Sequence, residues 1–162
     1  MKSWIEEIGG SEFKIMRLSE GETDAPILDN PETLERYLRD NLAKSVIYSP
    51  DVENLIVVHL NTRKRAIGFE VISQGTLDTI LVAPRNVFRA AIMMNSAAIC
   101  LAHNHPSGDS TPSEADAKVT RDLVRGGQIL KIEVIDHIVL GRPSAAQPKG
   151  YSSLRDLGYF YA

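Results

Sequence analysis

The chain of 162 residues has a single cysteine, Cys100, so no disulfide can form within it. That fits a reducing compartment, because cross-linked scaffolds need paired thiols. Nowhere does an apolar run approach the roughly 18 residues that a membrane-spanning helix requires. The opening stretch, MKSWIEEIGGSEF, also lacks the apolar core of a signal peptide. A cytoplasmic protein without a membrane segment is therefore expected. There is no excess of Lys and Arg: the net charge is −3, against the pattern of a nonspecific nucleic-acid binder. A local basic patch at Arg63, Lys64 and Arg65 is the one contrary feature. No internal repeat and no low-complexity tract occurs.

What is present suits one folded domain. Apolar residues make up 43% and charged residues 24%, a globular rather than a disordered balance. Residues 1–29 are polar and weakly periodic, and read as an N-terminal arm ahead of a domain spanning 30–162. Asn30-Pro31-Glu32 reads as an N-cap with Pro in the first helical position. Leu34, Tyr37, Leu38 and Leu42 then recur at helical spacing, predicting a helix over 31–44. Leu55–Leu60 is a β-branched apolar run. With 65–73 returning after the Asn61-Thr62-Arg63 turn, it predicts a hairpin. Residues 79–82 read as a short strand, 84–94 as a helix with Met93 and Met94 as core filler, and 97–102 as a small-residue strand ending at His103. Thr111-Pro112-Ser113-Glu114 matches a capping box, with a helix running to Gly126-Gly127 as its stop. Residues 132–140 predict a further strand and 153–157 one helical turn. Interleaved strands and helices predict an α/β fold with a mixed sheet flanked by helices.

The densest chemistry lies between His103 and Asp116. Only four histidines occur in the chain, and two of them, His103 and His105, stand two apart at the end of an apolar strand. Side chains two apart in an extended segment point to one side, so both imidazoles can reach one point. Asp116 follows on the next helix, three residues after Ser113, and Gly108 with two prolines lets the loop fold back. Two imidazoles and a carboxylate suit Zn²⁺, and three protein ligands leave the fourth position for water, the pattern of catalytic zinc. A proton carrier is then needed. Glu70, a charged residue in the apolar segment Gly68–Ile72, is the first candidate for it, ahead of Glu133 and Glu53. Ser113 is a candidate donor to a developing oxyanion. His137 and His59 read as core or supporting histidines, and Cys100 as a buried small hydrophobe.

The spacing His103-x-His105, seven residues, Ser113, two residues, Asp116 resembles the JAMM motif of MPN-type metalloproteases at every position. Ala102–Gly108, Glu70 with Gly75-Thr76-Leu77, Pro84-Arg85 and Asp136-His137 resemble the bacterial RadC-like branch, over roughly residues 40–160. The resemblance implies a cytidine-deaminase-like α/β/α sandwich. It implies one zinc held by His103, His105 and Asp116, with Glu70 as general acid/base and Ser113 steadying the oxyanion. It also implies cleavage of amide or isopeptide bonds in a protein or peptide substrate. A homodimer is compatible with it. Longer RadC-like proteins carry a helix-hairpin-helix region first, for which these residues leave no room, so DNA binding and a repair role are not expected. The family's usual Arg before Gly-Thr is Gln74 here. The rival readings are a non-catalytic MPN-type binding module, which would carry no zinc, and a metal-dependent nuclease suggested by His-Asn-His. A two-His-one-carboxylate iron site is chemically allowed as well.

Overall fold

A computed structural model describes residues 25–75 and 82–161. The described elements are three helices and five strands: α1 (Pro31–Leu42), β1 (Asn54–Leu60), β2 (Ala66–Gln74), α2 (Pro84–Met93), β3 (Ala98–Asn104), α3 (Glu114–Leu130), β4 (Glu133–Leu140) and β5 (Tyr151–Ser153). The strands form one mixed sheet in the order β2-β1-β3-β4-β5. Every neighbouring pair is antiparallel except β3 and β4, which are parallel and joined by α3.

β1 and β3 are buried at every residue. Such strands need apolar cover on both faces, which explains their continuous apolar runs. Ile56, Val58, Cys100, Ala102, Ile138 and Leu140 pack against Leu34, Leu38 and Leu42 of α1. On the other face Leu55, Val57, Ile99 and Leu101 meet Val87, Phe88 and Ala91 of α2 and Val119 and Leu123 of α3. The result is a helix–sheet–helix sandwich in one domain, as the sequence implied. Cys100 lies inside it, and burial pushes its thiol up to about 12. It is an inert packing residue at neutral pH.

The hairpin forms as expected, with β1 paired to β2 from Asn54↔Gln74 to Leu60↔Ala66. Asn30 caps α1 through the Thr33 amide at 2.9 Å. The predicted strand at 79–82 falls mostly outside the described residues, as do the first 24 residues of the arm. The last part of the arm lies along the hairpin: Ile27 bridges to Arg65, and Leu28 is buried in the core.

Three local expectations need correction. The N-cap of α3 is Ser113, not Thr111, and the residue that closes the capping box is Asp116, not Glu114. The helix does not stop at Gly126-Gly127 but runs on to Leu130, with Lys131 in the left-handed conformation. Both glycines are there for close packing. A Cβ on Gly127 would sit 2.4 Å from the Ile132 carbonyl oxygen, and one on Gly126 would sit 3.1 Å from Phe88. Residues 151–153 form an edge strand, and the expected helical turn follows at 153–157, where the Leu157 amide donates to the Ser153 carbonyl at 3.0 Å. Asp136 anchors this strand by accepting Ser153 Oγ and the Arg155 amide. Met93 is exposed at the end of α2 rather than core.

Candidate metal centre

The site lies where the parallel pair ends. β3 delivers His103 and Asn104 at its C-terminal edge, the chain turns through 105–112, and α3 begins with Ser113 as its cap. Ligand sites in α/β sheets collect at such carboxyl ends, where loops leave a rigid scaffold.

His103, His105 and Asp116 converge. His103 Nε2 is 3.1 Å from His105 Nε2 and 3.3 Å from Asp116 Oδ1, and His105 Nε2 is 3.8 Å from Asp116 Oδ2. Ligand atoms at about 2.0–2.1 Å from a tetrahedral zinc stand roughly 3.3 Å from one another. The two ring nitrogens stand near that spacing, and each has a different Asp116 oxygen within 3.8 Å, so the three side chains converge on one small space. Together the residues form the one group of three or more potential ligands among the described residues able to hold a metal ion.

Donor counting shows why the atoms face inward. The Asp109 carbonyl can only accept, so His105 Nδ1, 2.7 Å away, carries the proton and leaves Nε2 as a lone pair. Thr120 donates its one proton to the Asp116 carbonyl at 2.6 Å. Its oxygen must then accept from His137 Nδ1, at 2.7 Å. His137 is fully buried, and burial holds its pKa well below the usual histidine value. Its Nε2 is thus a lone pair, and His103 Nδ1 donates to it at 2.8 Å. His103 Nε2 is left bare, facing Asp116. Two imidazole lone pairs and a carboxylate with no proton between them repel one another unless a cation sits among them.

The carboxylate is set by the helix start. Asp116 Oδ2 accepts Ser113 N and Ser113 Oγ, both at 2.7 Å, while Oδ1 faces His103. Burial alone would raise its pKa, but His103, when its Nε2 carries a proton in place of a metal cation, and the two Ser113 donors outweigh that and hold the carboxyl below the usual range. The capping box is therefore also the device that aims a ligand. The loop is fixed in turn by Asp109, which accepts the Thr111 amide and hydroxyl and Gln147 Nε2.

The other sequence candidates fall as follows. Ser113 is beside Asp116, on the exposed side of the helix start. Glu70 is not in the ligand group. It sits on β2 opposite Val57, which pairs with Leu101, so it shares a sheet face with His103 but lies two strands away. Its nearest charged neighbour is His59 Nε2 at 3.3 Å, and Oε1 is buried without a hydrogen-bond partner. His59 reaches Ser96 Oγ through Nδ1 but leaves Nε2 unbonded, so it is less satisfied than a plain core histidine. Glu133 starts β4 opposite Ala98, at the far end of the sheet. Gln74, where an Arg is usual, donates to the Ile47 carbonyl and to Asn54 Oδ1. Thr120 was missed in the sequence. It sits four residues after Asp116, one turn along the same face, and that spacing is the signal that could have found it.

The relay gives a measurable expectation. Thr120→Val keeps the shape but removes both hydrogen bonds, freeing the His137 tautomer and so the His103 ring. Metal affinity should fall about 10–100-fold with the fold intact, as measured by competition with a fluorescent chelator. Unchanged affinity would mean the relay does not orient His103.

A mixed sheet between helices, with a His-x-His strand end facing the first turn of the next helix, defines an α/β domain of the MPN/JAB class with a site suited to a metal. The chain belongs to the RadC-like JAB domain family, which matches residues 27–159. It is 41% identical over 131 residues to a UPF0758 protein of Symbiobacterium thermophilum, covering 81% of this chain and 51% of that protein. A UPF0758 protein of Desulfitobacterium hafniense is 41% identical over 133 residues, covering 82% of this chain and 54% of that one. One from Caldanaerobacter subterraneus is 48% identical over 101 residues, covering 61% and 43%. The chain thus spans about half the length of the curated relatives it matches. Among the described residues no helix is long and apolar enough to cross a membrane.

Proposed function

We propose that this chain is a zinc-dependent hydrolase of amide bonds in a protein or peptide substrate. The observation that carries the proposal is the convergence of the two Nε2 atoms, 3.1 Å apart, on the Asp116 carboxylate, whose oxygens lie 3.3 and 3.8 Å from them. His103, His105 and Asp116 would hold one zinc ion, which supplies a Lewis acid for the carbonyl and brings the pKa of a bound water to about 7. Three protein ligands leave that position open, and His105 borders the solvent side of the group.

Glu70 acts as the general acid/base in this reading. It takes a proton from the attacking water and returns it to the leaving amine. Support comes from its place on the same sheet face as His103, with Oε1 buried and 3.3 Å from His59 Nε2. Ser113, exposed beside the ligand carboxylate, would have to move its one hydroxyl proton from Asp116 Oδ2 to the substrate oxygen as negative charge develops there.

The test is direct. Protein purified without chelator should contain one zinc per chain. On a peptide library it should show cleavages that disappear after dialysis against dipicolinate and return with added zinc. Purified protein that neither carries nor takes up zinc would sink the proposal and favour a binding module.

A further inference from the structure

Beside the metal centre the C-terminal ends of β3 and β4 open into a second feature that the hydrolytic residues do not use. A cleft of about 470 Å³ runs between the end of α1 and the loops after the two strands. Leu42, Tyr48, Leu140 and His105 are among its lining residues. His105 thus belongs to both features, with Nε2 on the ligand group.

The charge of this cleft is one-sided. Arg39 and Arg142 line it, and no carboxylate does. The chain as a whole has 21 Asp and Glu against 18 Lys and Arg, so the absence is local. The two guanidinium groups differ. Arg39 Nη2 donates to the carbonyls of Gly141 and Gly150, and its Nε bonds Glu35. Arg39 therefore builds the wall and is already neutralised. Arg142 is exposed, donates only Nη2, to the Pro106 carbonyl at 3.3 Å, and has no carboxylate partner among the described residues. Its methylenes lie against Gly108, so the stem is held, and Nε and Nη1 make no hydrogen bond among the described residues.

We propose that this cleft binds a peptide segment carrying a carboxylate next to the bond presented at the metal, with Arg142 as the counter-ion. The inference rests on the reading of the centre as an amide hydrolase and names the substrate's chemistry. A guanidinium beside apolar lining residues, with no competing acid, is complementary to an acidic side chain flanked by ordinary peptide. A nucleic acid fits less well. One unpaired guanidinium neutralises one phosphate, and a net charge of −3 repels a polyanion.

Binding tests this without hydrolysis. The probes are two randomised pentapeptide mixtures, blocked at both ends, with Glu at the centre of one and Gln at the centre of the other. Retention by the zinc-loaded full chain is read by equilibrium dialysis and mass spectrometry. The Glu mixture should be retained about fivefold better at low salt, with the preference shrinking as salt rises. Arg142→Gln keeps the methylene packing and should abolish the preference while zinc content stays the same. Arg142→Lys should keep it. Equal retention of the two mixtures by the wild type, a preference that survives Arg142→Gln, or one lost in Arg142→Lys would each overturn the proposal. So would displacement of the Glu peptides by a short single-stranded DNA at lower concentration than by the peptides themselves, which would assign the cleft to phosphate. Acid preference in a chain that cleaves nothing would leave the cleft standing and the hydrolase reading fallen. Cleavage without acid preference would do the reverse.

Discussion

Asp116→Asn should yield a folded chain without zinc. The variant keeps a carbonyl oxygen for the Ser113 amide and hydroxyl, which both bond Oδ2 at 2.7 Å, so the cap of α3 survives. Loss of one of two acidic residues in the first turn should weaken the helix by about 0.3–1 kcal/mol. The metal fares far worse. The ligand group loses its only anion, leaving two neutral imidazoles and an amide around a divalent ion. Removing a partner that merely orients a ligand costs about 10–100-fold in metal affinity, and losing a ligand outright should exceed that. Elemental analysis should fall from one zinc per chain towards none. Circular dichroism should match that of the wild type stripped by chelator, with the thermal midpoint lower by about 1–4 °C. A variant that kept stoichiometric zinc would show that the metal, if bound, is not held here.

The second large effect separates chemistry from binding. Glu70→Gln should leave zinc content unchanged, because Glu70 is outside the group of His103, His105 and Asp116. Its neighbour is His59, at 3.3 Å, and Gln fills the same space on β2. What it cannot do is accept and return a proton. Turnover on any peptide that the wild type cleaves should drop by about 10²–10⁴-fold. The measurement is kcat beside zinc content on the same preparation. Full activity with full zinc would remove Glu70 from the reaction and send the search for a base elsewhere. Loss of zinc together with activity would instead place Glu70 in the metal's support. The two variants make a pair: one loses the metal, the other keeps it.

Much of the molecule was legible along the chain because short-range physics sets it. The continuous apolar runs at 55–60 and 98–102 had to be central strands, since only a doubly covered strand hides every side chain. Leu34, Leu38 and Leu42 at helical spacing had to face a core. His103 and His105 had to share a side, being two apart at a strand end, and Asn30 had to cap the helix that Pro31 opens.

Other features depend on partners far away in sequence, and no local pattern contains them. Gly126-Gly127 looks like a stop signal until Phe88 and the Ile132 carbonyl press against it. Residues 151–153 become a strand because Asp136 takes Ser153 and because β4 has a free edge there. At the metal centre the division is plain. Ligand types and spacing belong to the sequence, because coordination needs those atoms from those residues. The protonation pattern that bares both Nε2 atoms was completed only by the tertiary structure. Two of its bonds are local, His105 to the Asp109 carbonyl and Thr120 to the Asp116 carbonyl, but the two that pass through His137, to Thr120 and to His103, exist only because α3 packs across β3 and β4.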